Sequence, residues 1–286
     1  MAKTELTWGK KTWVMGIINL TPDSFSGDGI YAEADPQQRA LAQAEEFIHD
    51  GADILDLGAE SSRPGAQPVT AEEELKRLLP ALLEIKSRGL NALISVDTWK
   101  AETADACLEA GADWINDIWG LRADTRLAQV IARHQATVVL MHNRSHSGAV
   151  RDLGALGSSY SGSEYADLIP DIMTDLNVSI RIAREAGIAE KRIILDPGIG
   201  FGKTVAQNLA LINDLKKIKK MGYPLLIGPS RKSFIGQVLN LPVEEREEGT
   251  AAAVAIGIAH GADIIRVHNV KLMARVAHMA DAIVRK

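Results

Sequence analysis

The sequence predicts a single (β/α)8 barrel over its 286 residues, with a core spanning roughly 13–284. Two observations carry this. First, a polar, amphipathic stretch repeatedly ends in Gly-Ala-Asp and leads into a short apolar run. It does so at Gly51-Ala52-Asp53, Gly111-Ala112-Asp113 and Gly261-Ala262-Asp263, with a looser copy at Gly187-Ile188. Glycine suits a helix C-terminus, where a left-handed residue is needed. The apolar run suits a strand buried on both faces, as in a parallel sheet. Second, about eight such strands alternate strictly with helical segments, which favours parallel β/α architecture and, at that number, a closed barrel. An open doubly wound sheet is the alternative architecture.

The strands are expected at Val14–Leu20, Ile54–Gly58, Ala92–Asp97, Trp114–Ile118, Thr137–Met141, Ile193–Asp196, Leu225–Gly228 and Ile264–His268. Between the first two, Asp35-Pro36 reads as a cap followed by proline at the first helical position. Leu41, Ala44, Phe47 and Ile48 then share one helical face. Thr70 and Glu73 form a capping box, and Leu75, Leu78, Leu79 and Leu82 repeat at helical spacing. Pro80 predicts a kink in that helix. The Gly- and Ser-rich stretch Asn143–Ser163 reads as a long loop before a helix near Tyr165–Ala186.

Bulk properties narrow the function. A net charge of -5 gives no electrostatic reason to expect a nucleic-acid partner. The one cysteine, Cys107, excludes an intrachain disulfide framework and suits a reducing cytoplasm. No run has the length and apolarity of a signal peptide or a membrane span, so a cytoplasmic protein without a membrane partner is expected.

Barrel enzymes build their sites at the C-terminal ends of the strands. Those ends carry Asn19, Glu60–Pro64, Asp97, Asn116 with Asp117, His142, Asp196, Ser230–Lys232, and Arg266 with His268. A single Asp or Asn there is as often a turn or helix cap. Together they describe a polar pocket of carboxylates, amides and cations. Several familiar motifs fail. Gly198-Ile-Gly200-Phe-Gly202-Lys203-Thr204 has proline at 197 where a phosphate loop needs glycine, and it misses the dinucleotide fingerprint. His142 and His146 lack the glutamate of a zinc protease, and no nucleophile elbow is present.

Four ordered segments resemble the dihydropteroate synthases. They are Met15-Gly-Ile-Ile-Asn19-Leu-Thr-Pro-Asp23-Ser-Phe25-Ser, Gly58-Ala-Glu-Ser-Ser62-Arg63-Pro-Gly, Asp196-Pro-Gly-Ile-Gly-Phe201-Gly-Lys and Gly228-Pro-Ser-Arg-Lys232-Ser-Phe-Ile-Gly. Arg266-Val-His268 closes the series. The resemblance implies the same barrel and the condensation of a dihydropterin pyrophosphate with p-aminobenzoate. It places Asp97, Asn116, Met141, Asp196 and Lys232 around the pterin. A carboxylate such as Asp196 would accept both N–H donors of the pterin edge, in the paired geometry used for arginine. Asn19, Arg63, Arg266 and His268 would meet the pyrophosphate, with Asn19 ligating Mg2+. Phe25, Ser61, Ser62, Pro64, Phe201 and Ser233 would line the p-aminobenzoate site. Asp23, Arg63, Lys232, Arg266 and His268 would carry the chemistry. Family members usually form homodimers, which is the expected state.

Three departures stand out. An aspartate that directly follows the serine in many members sits here at Asp28, so Asp23 and Asp28 both remain candidates to face the reaction. Ser62 replaces a common threonine, and Asn269 a frequent aspartate. Two other functions fit part of this pattern: a pterin-dependent methyltransferase, and a catalytically silent pterin binder.

Overall fold

The computed structural model describes residues 6–21, 35–61, 66–145, 150–154 and 158–285. Its strands are β1 (Trp13–Asn19), β2 (Ile54–Gly58), β3 (Leu93–Asp97), β4 (Trp114–Asp117), β5 (Thr137–Met141), β6 (Val150–Asp152), β7 (Ser158–Tyr160), β8 (Ile193–Asp196), β9 (Leu226–Ile227) and β10 (Ile264–Val267). The helices are α1 (Pro36–His49), α2 (Ala71–Ser87), α3 (Ala101–Glu109), α4 (Leu127–Arg133), α5 (Leu168–Glu185), α6 (Val205–Asn213), α7 (Leu215–Lys219), α8 (Ser233–Leu239), α9 (Glu247–Ala259) and α10 (Val270–Val284).

Eight strands form one parallel sheet in the order β8-β5-β4-β3-β2-β1-β10-β9. A single parallel bridge, Leu195 to Leu225, joins its two ends and brings the sheet round to a barrel. The remaining two strands, β6 and β7, pair antiparallel as a hairpin. That hairpin lies in the Gly- and Ser-rich stretch expected to be loop throughout. Helix α2 continues through Pro80 to Ser87, with Thr70 accepting from the Glu73 amide at 3.2 Å. Asp35 caps α1 by accepting from Gln38, with proline at the first helical position.

Successive strand side chains point to opposite faces, and here the two sets are chemically different. One set, including Val14, Ile18, Leu55, Leu57, Ile94, Val96, Leu140 and Ile265, packs under the helices. The other fills the barrel. Met15, Ile54, Leu93, Trp114, Val139, Ile194, Leu226 and Ile264 form its lower layer, with Leu6 and Trp8 packed against them. Two residues further along each strand, the same parity brings up Ile17, Asp56, Ser95, Asn116, Met141, Asp196, Gly228 and Arg266. The interior is therefore sealed at its base by hydrocarbon and turns polar toward the C-terminal ends of the strands.

The Gly-Ala-Asp repeat has a physical account. Gly51, Gly111 and Gly261 take φ of 104°, 101° and 102°, which an L side chain rarely adopts. Each following aspartate reaches back to the preceding strand of the barrel. Asp53 accepts from Val14 at 3.0 Å, Asp113 from Ile94 at 3.0 Å, and Asp263 from Leu225 at 2.8 Å. These bonds satisfy amides at strand starts, which would otherwise be left without a ladder partner.

Candidate active site

The polar end of the barrel holds a cleft. It is lined by Asn19, Ser61, Asp97, Asn116, Met141, Asp196, Phe201, Lys232, Ser233, Arg266 and His268. Each residue that the resemblance assigned to the site and that falls within the described residues is part of this lining. Asp23, Phe25, Ser62, Arg63 and Pro64, and the alternative acid Asp28, lie outside them. Ile17, Thr21, Glu60, Ile118, Ser158 and Ser230, with Gly58, Gly200 and Gly228, complete the lining.

Arg266 is the centre of one charge network. Its Nε donates to Asp56 Oδ2 at 2.6 Å, and its Nη2 donates to Asp97 Oδ2 at 2.6 Å. Asn116 Nδ2 lies 3.4 Å from the same Asp56 oxygen. The strand register explains the grouping, because β2 lies between β1 and β3, with Gly58 beside Asp97, and β1 also pairs with β10. Burial pushes the Asp97 carboxyl up, to about 7, against the pull of Arg266 and with added repulsion from Asp56. Desolvation opposes the Arg266 charge, yet Asp56 and Asp97 together hold it firmly cationic. Asp56 was not anticipated from sequence. Its signal was a lone carboxylate inside the apolar run Ile54–Gly58, at a position with barrel-facing parity.

A second group faces this one across the cleft. Asp196 ends β8, and its Oδ1 accepts the Gly198 amide at 2.7 Å. It thus serves as a turn cap while lining the cleft. Burial raises its pKa, offset by the Gly198 amide and by Lys232. Lys232 donates to the Ile199 carbonyl, and its Nζ sits 4.1 Å from the centre of the Phe201 ring. Burial lowers the Lys232 ammonium to about 7, with Asp196 pulling the other way. Both charges are strongly desolvated, so a polar heterocycle with donors and acceptors would meet partners already stripped of water.

His268 follows β10, and its Nδ1 lies 2.9 Å from Ser230 Oγ. The same hydroxyl oxygen accepts the His268 amide at 3.3 Å. The loop after β9 therefore sets the ring's orientation. Asn269 caps α10 by accepting from Leu272, so its amide substitutes for an aspartate in a capping role.

Three strand-end residues expected in the pocket do other work, and one of them, Arg231, donates from Nε to Glu247 at 2.6 Å. Asp117 has the opposite parity to Asn116 and is buried. It accepts the Trp119 and Leu121 amides at 2.8 and 2.5 Å, which shapes the turn after β4. His142 lies buried beneath the 197–202 loop, bonded to Lys203 and Asp175. Among the described residues, the one group of three ligand-type side chains close enough to share a metal is Asp105, Glu109 and His134. It lies on α3 and just after α4, away from the cleft.

A barrel with a buried carboxylate and amide and a half-buried lysine at its mouth, beside an arginine and a histidine, offers donors and acceptors suited to a polar heterocycle bearing an anionic group. The sequence over residues 15–268 matches the family described as "Pterin binding enzyme", and the chain belongs to that family. Among its relatives, the dihydropteroate synthase of Bacillus subtilis is 50% identical, covering 98% of this chain and 92% of the relative. A solved dihydropteroate synthase from Clostridium difficile, obtained in the presence of pteroic acid, superimposes with a TM-score of 0.88 at 41% identity. It covers 99% of this chain and all of the other. The Xanthomonas albilineans enzyme solved with 4-aminobenzoic acid gives 0.85 at 34% identity, covering 96% and 93%. Within the pterin-binding enzymes, the chain is a member of the dihydropteroate synthase family.

Proposed function

We propose that the chain condenses hydroxymethyl-dihydropterin pyrophosphate with p-aminobenzoate, releasing pyrophosphate and dihydropteroate. One observation carries the reading. Asp196, Asn116 and Lys232 share a cleft with Arg266 and His268, so sites for a heterocycle and for its anionic leaving group adjoin. Asp196 would accept the paired N–H donors of the pterin edge, Asn116 would both donate and accept, and Lys232 would donate to a ring acceptor. Met141 supplies an apolar wall. Phe201, Ser61 and Ser233 would hold p-aminobenzoate nearer the rim, Ser233 by donating to its carboxylate.

The amine nitrogen forms a bond to the exocyclic methylene as the bond to the pyrophosphate oxygen breaks, and the amine proton leaves to water. Arg266 and His268 stabilise the departing charge. No covalent protein intermediate is needed, so catalysis is positioning and electrostatic stabilisation. The motifs at Asp23, Phe25, Ser62, Arg63 and Pro64 assign those residues to the same chemistry and to the p-aminobenzoate site by resemblance alone.

A magnesium ion fits the donor set in one way. Asn19 lines the cleft and carries an amide oxygen, and magnesium typically uses few protein ligands together with substrate phosphate oxygens. Bound there, it would neutralise pyrophosphate charge. We also read the chain as a cytoplasmic homodimer. No helix among the described residues is long and apolar enough to cross a membrane, and Cys107 is a free, buried thiol. Ile256 on α9 and Met279 and Ile283 on α10 stay exposed, at 48%, 62% and 61%, which is the kind of face a second copy would cover.

The test is pyrophosphate release from the pterin substrate with Mg2+, with and without p-aminobenzoate. Release dependent on p-aminobenzoate, yielding dihydropteroate in equal amount, is the expected result. Pterin binding without turnover would move the reading to a silent binder or to a methyl-transferring relative.

A further inference from the structure

Lys203 is a buried lysine that the reaction above does not use. It is 4% exposed, does not line the cleft, and immediately precedes Thr204, the N-cap of α6. Its Nζ donates to Gly198 O at 2.8 Å and Phe201 O at 3.1 Å, and lies 3.0 Å from His142 Nδ1. An ammonium has three donors and no acceptor, so these partners use it fully. His142 Nδ1 must then be an acceptor, which puts the ring proton on Nε2, 3.1 Å from Asp175 Oδ2. Arg144 Nε holds the same Asp175 oxygen at 2.6 Å. The result is one chain of hydrogen bonds from Arg144 to the backbone of the 197–202 loop.

That loop is pressed between two surfaces. Gly198 has φ of 71°, and a Cβ there would lie 1.8 Å from the His142 carbonyl oxygen. A Cβ at Gly202 would lie 2.8 Å from the backbone of Arg144 and Ser145. On the cleft side, Lys232 bonds Ile199 O and covers the Phe201 ring. Lys203 therefore grips from behind the peptide that Lys232 meets from the front. Burying a charge is costly unless it is fully bonded, and an apolar side chain would fill the same volume without that cost. Burial drives the Lys203 ammonium down to about 7, opposed by Asp196. It drives His142 down as well, helped by Lys203, which keeps the ring neutral.

We infer that Lys203 is a positioning residue for the p-aminobenzoate subsite, fixing the 197–202 loop so that Phe201 presents its ring to the incoming substrate. The inference rests on the synthase reading above. The amine is attacking through a ring held against Phe201, so loosening this loop should cost affinity for that substrate before it costs turnover at saturation.

The test is steady-state kinetics of the full chain as wild type, K203M, K203Q, F201A and K203M/F201A, with a melting curve for each. K203M is expected to raise KM for p-aminobenzoate roughly tenfold, the scale of lost charge-assisted hydrogen bonds, with much less change in kcat. K203Q keeps two N–H donors and should recover part of the loss. The double variant should be no worse than F201A, because Lys203 acts through Phe201. Should K203M not fold, K203Q against wild type decides by the same KM comparison. Lysine variants that melt lower yet keep a wild-type KM overturn the inference, as do effects that multiply with F201A. A wild-type chain without turnover overturns the synthase reading and this inference with it. A working wild type with an unmoved KM overturns the inference alone.

Discussion

Arg266 and Asp56 are joined inside the barrel by a 2.6 Å bond from Nε to Oδ2, and the Asp56 side chain is wholly buried. Asp97 takes Nη2 of the same guanidinium. The arginine is aimed before any substrate arrives.

Substituting Asp56→Asn keeps the shape and removes the charge that orients Nε. Losing one charge-assisted bond costs about 1.5–3 kcal/mol. On the proposed function, kcat/KM for the pterin pyrophosphate should fall on the order of 10- to 100-fold. Binding of a pterin without the pyrophosphate should change little. Equal rates for D56N and wild type would show that Asp97 alone is enough to hold Arg266.

Asp196→Ala should abolish pterin binding, measured by calorimetry, since it removes the paired acceptor for the ring edge. It also frees the Gly198 amide, so a melting curve belongs beside the titration. Near-normal affinity in a folded variant would sink the pocket assignment.

The base of the barrel offers the opposite kind of variant. Asp263→Ala leaves the Leu225 amide without its acceptor and breaks the ion pair with Lys219. A buried amide left unsatisfied costs about 1–3 kcal/mol. Denaturant unfolding should show that loss, while KM for both substrates stays at the wild-type value. A changed KM would mean that the base and the mouth are coupled.

Acid should unfold the chain partly through His142. Burial, with the Lys203 charge, sets its folded pKa at about 3, below the ordinary 6.5. Between those values the unfolded chain binds more protons, so stability rises with pH across the window and is lost as pH falls. Unfolding free energy measured from pH 6.5 downward should drop more steeply for wild type than for H142Q. Parallel curves would remove His142 from the acid response.

Much of this fold was legible because the barrel's parts are local. Apolar runs such as Ile54–Gly58 and Ile264–Val267 follow helices that end in glycine, at Gly51 and Gly261, and the strands begin and end within a residue or two of the expected positions. The hairpin β6–β7 was not legible, because its three-residue strands carry no sustained alternation. At the site, the described strand-end residues with motif support line one cleft. Asp117 and His142 are instead structural, since one turns away by parity and the other sits under a loop. Lys203 looked like the end of a phosphate loop that Pro197 spoiled. Its ammonium is in fact spent on Gly198 O, Phe201 O and His142. Sequence spacing does not tell a lysine that reaches a ligand from one that reaches its own backbone.

The sheet closes between β8 and β9 by one bridge, Leu195 to Leu225, whereas its other neighbours share ladders. The loops carrying Phe201 and Lys232 leave from the two sides of that seam. Any slow opening of the cylinder would start along this line and carry one wall of the cleft with it. Amide exchange should then be fastest among the barrel strands at Leu226 and Ile227. A mutation that staples the seam would trade breathing of the mouth for rigidity of the whole.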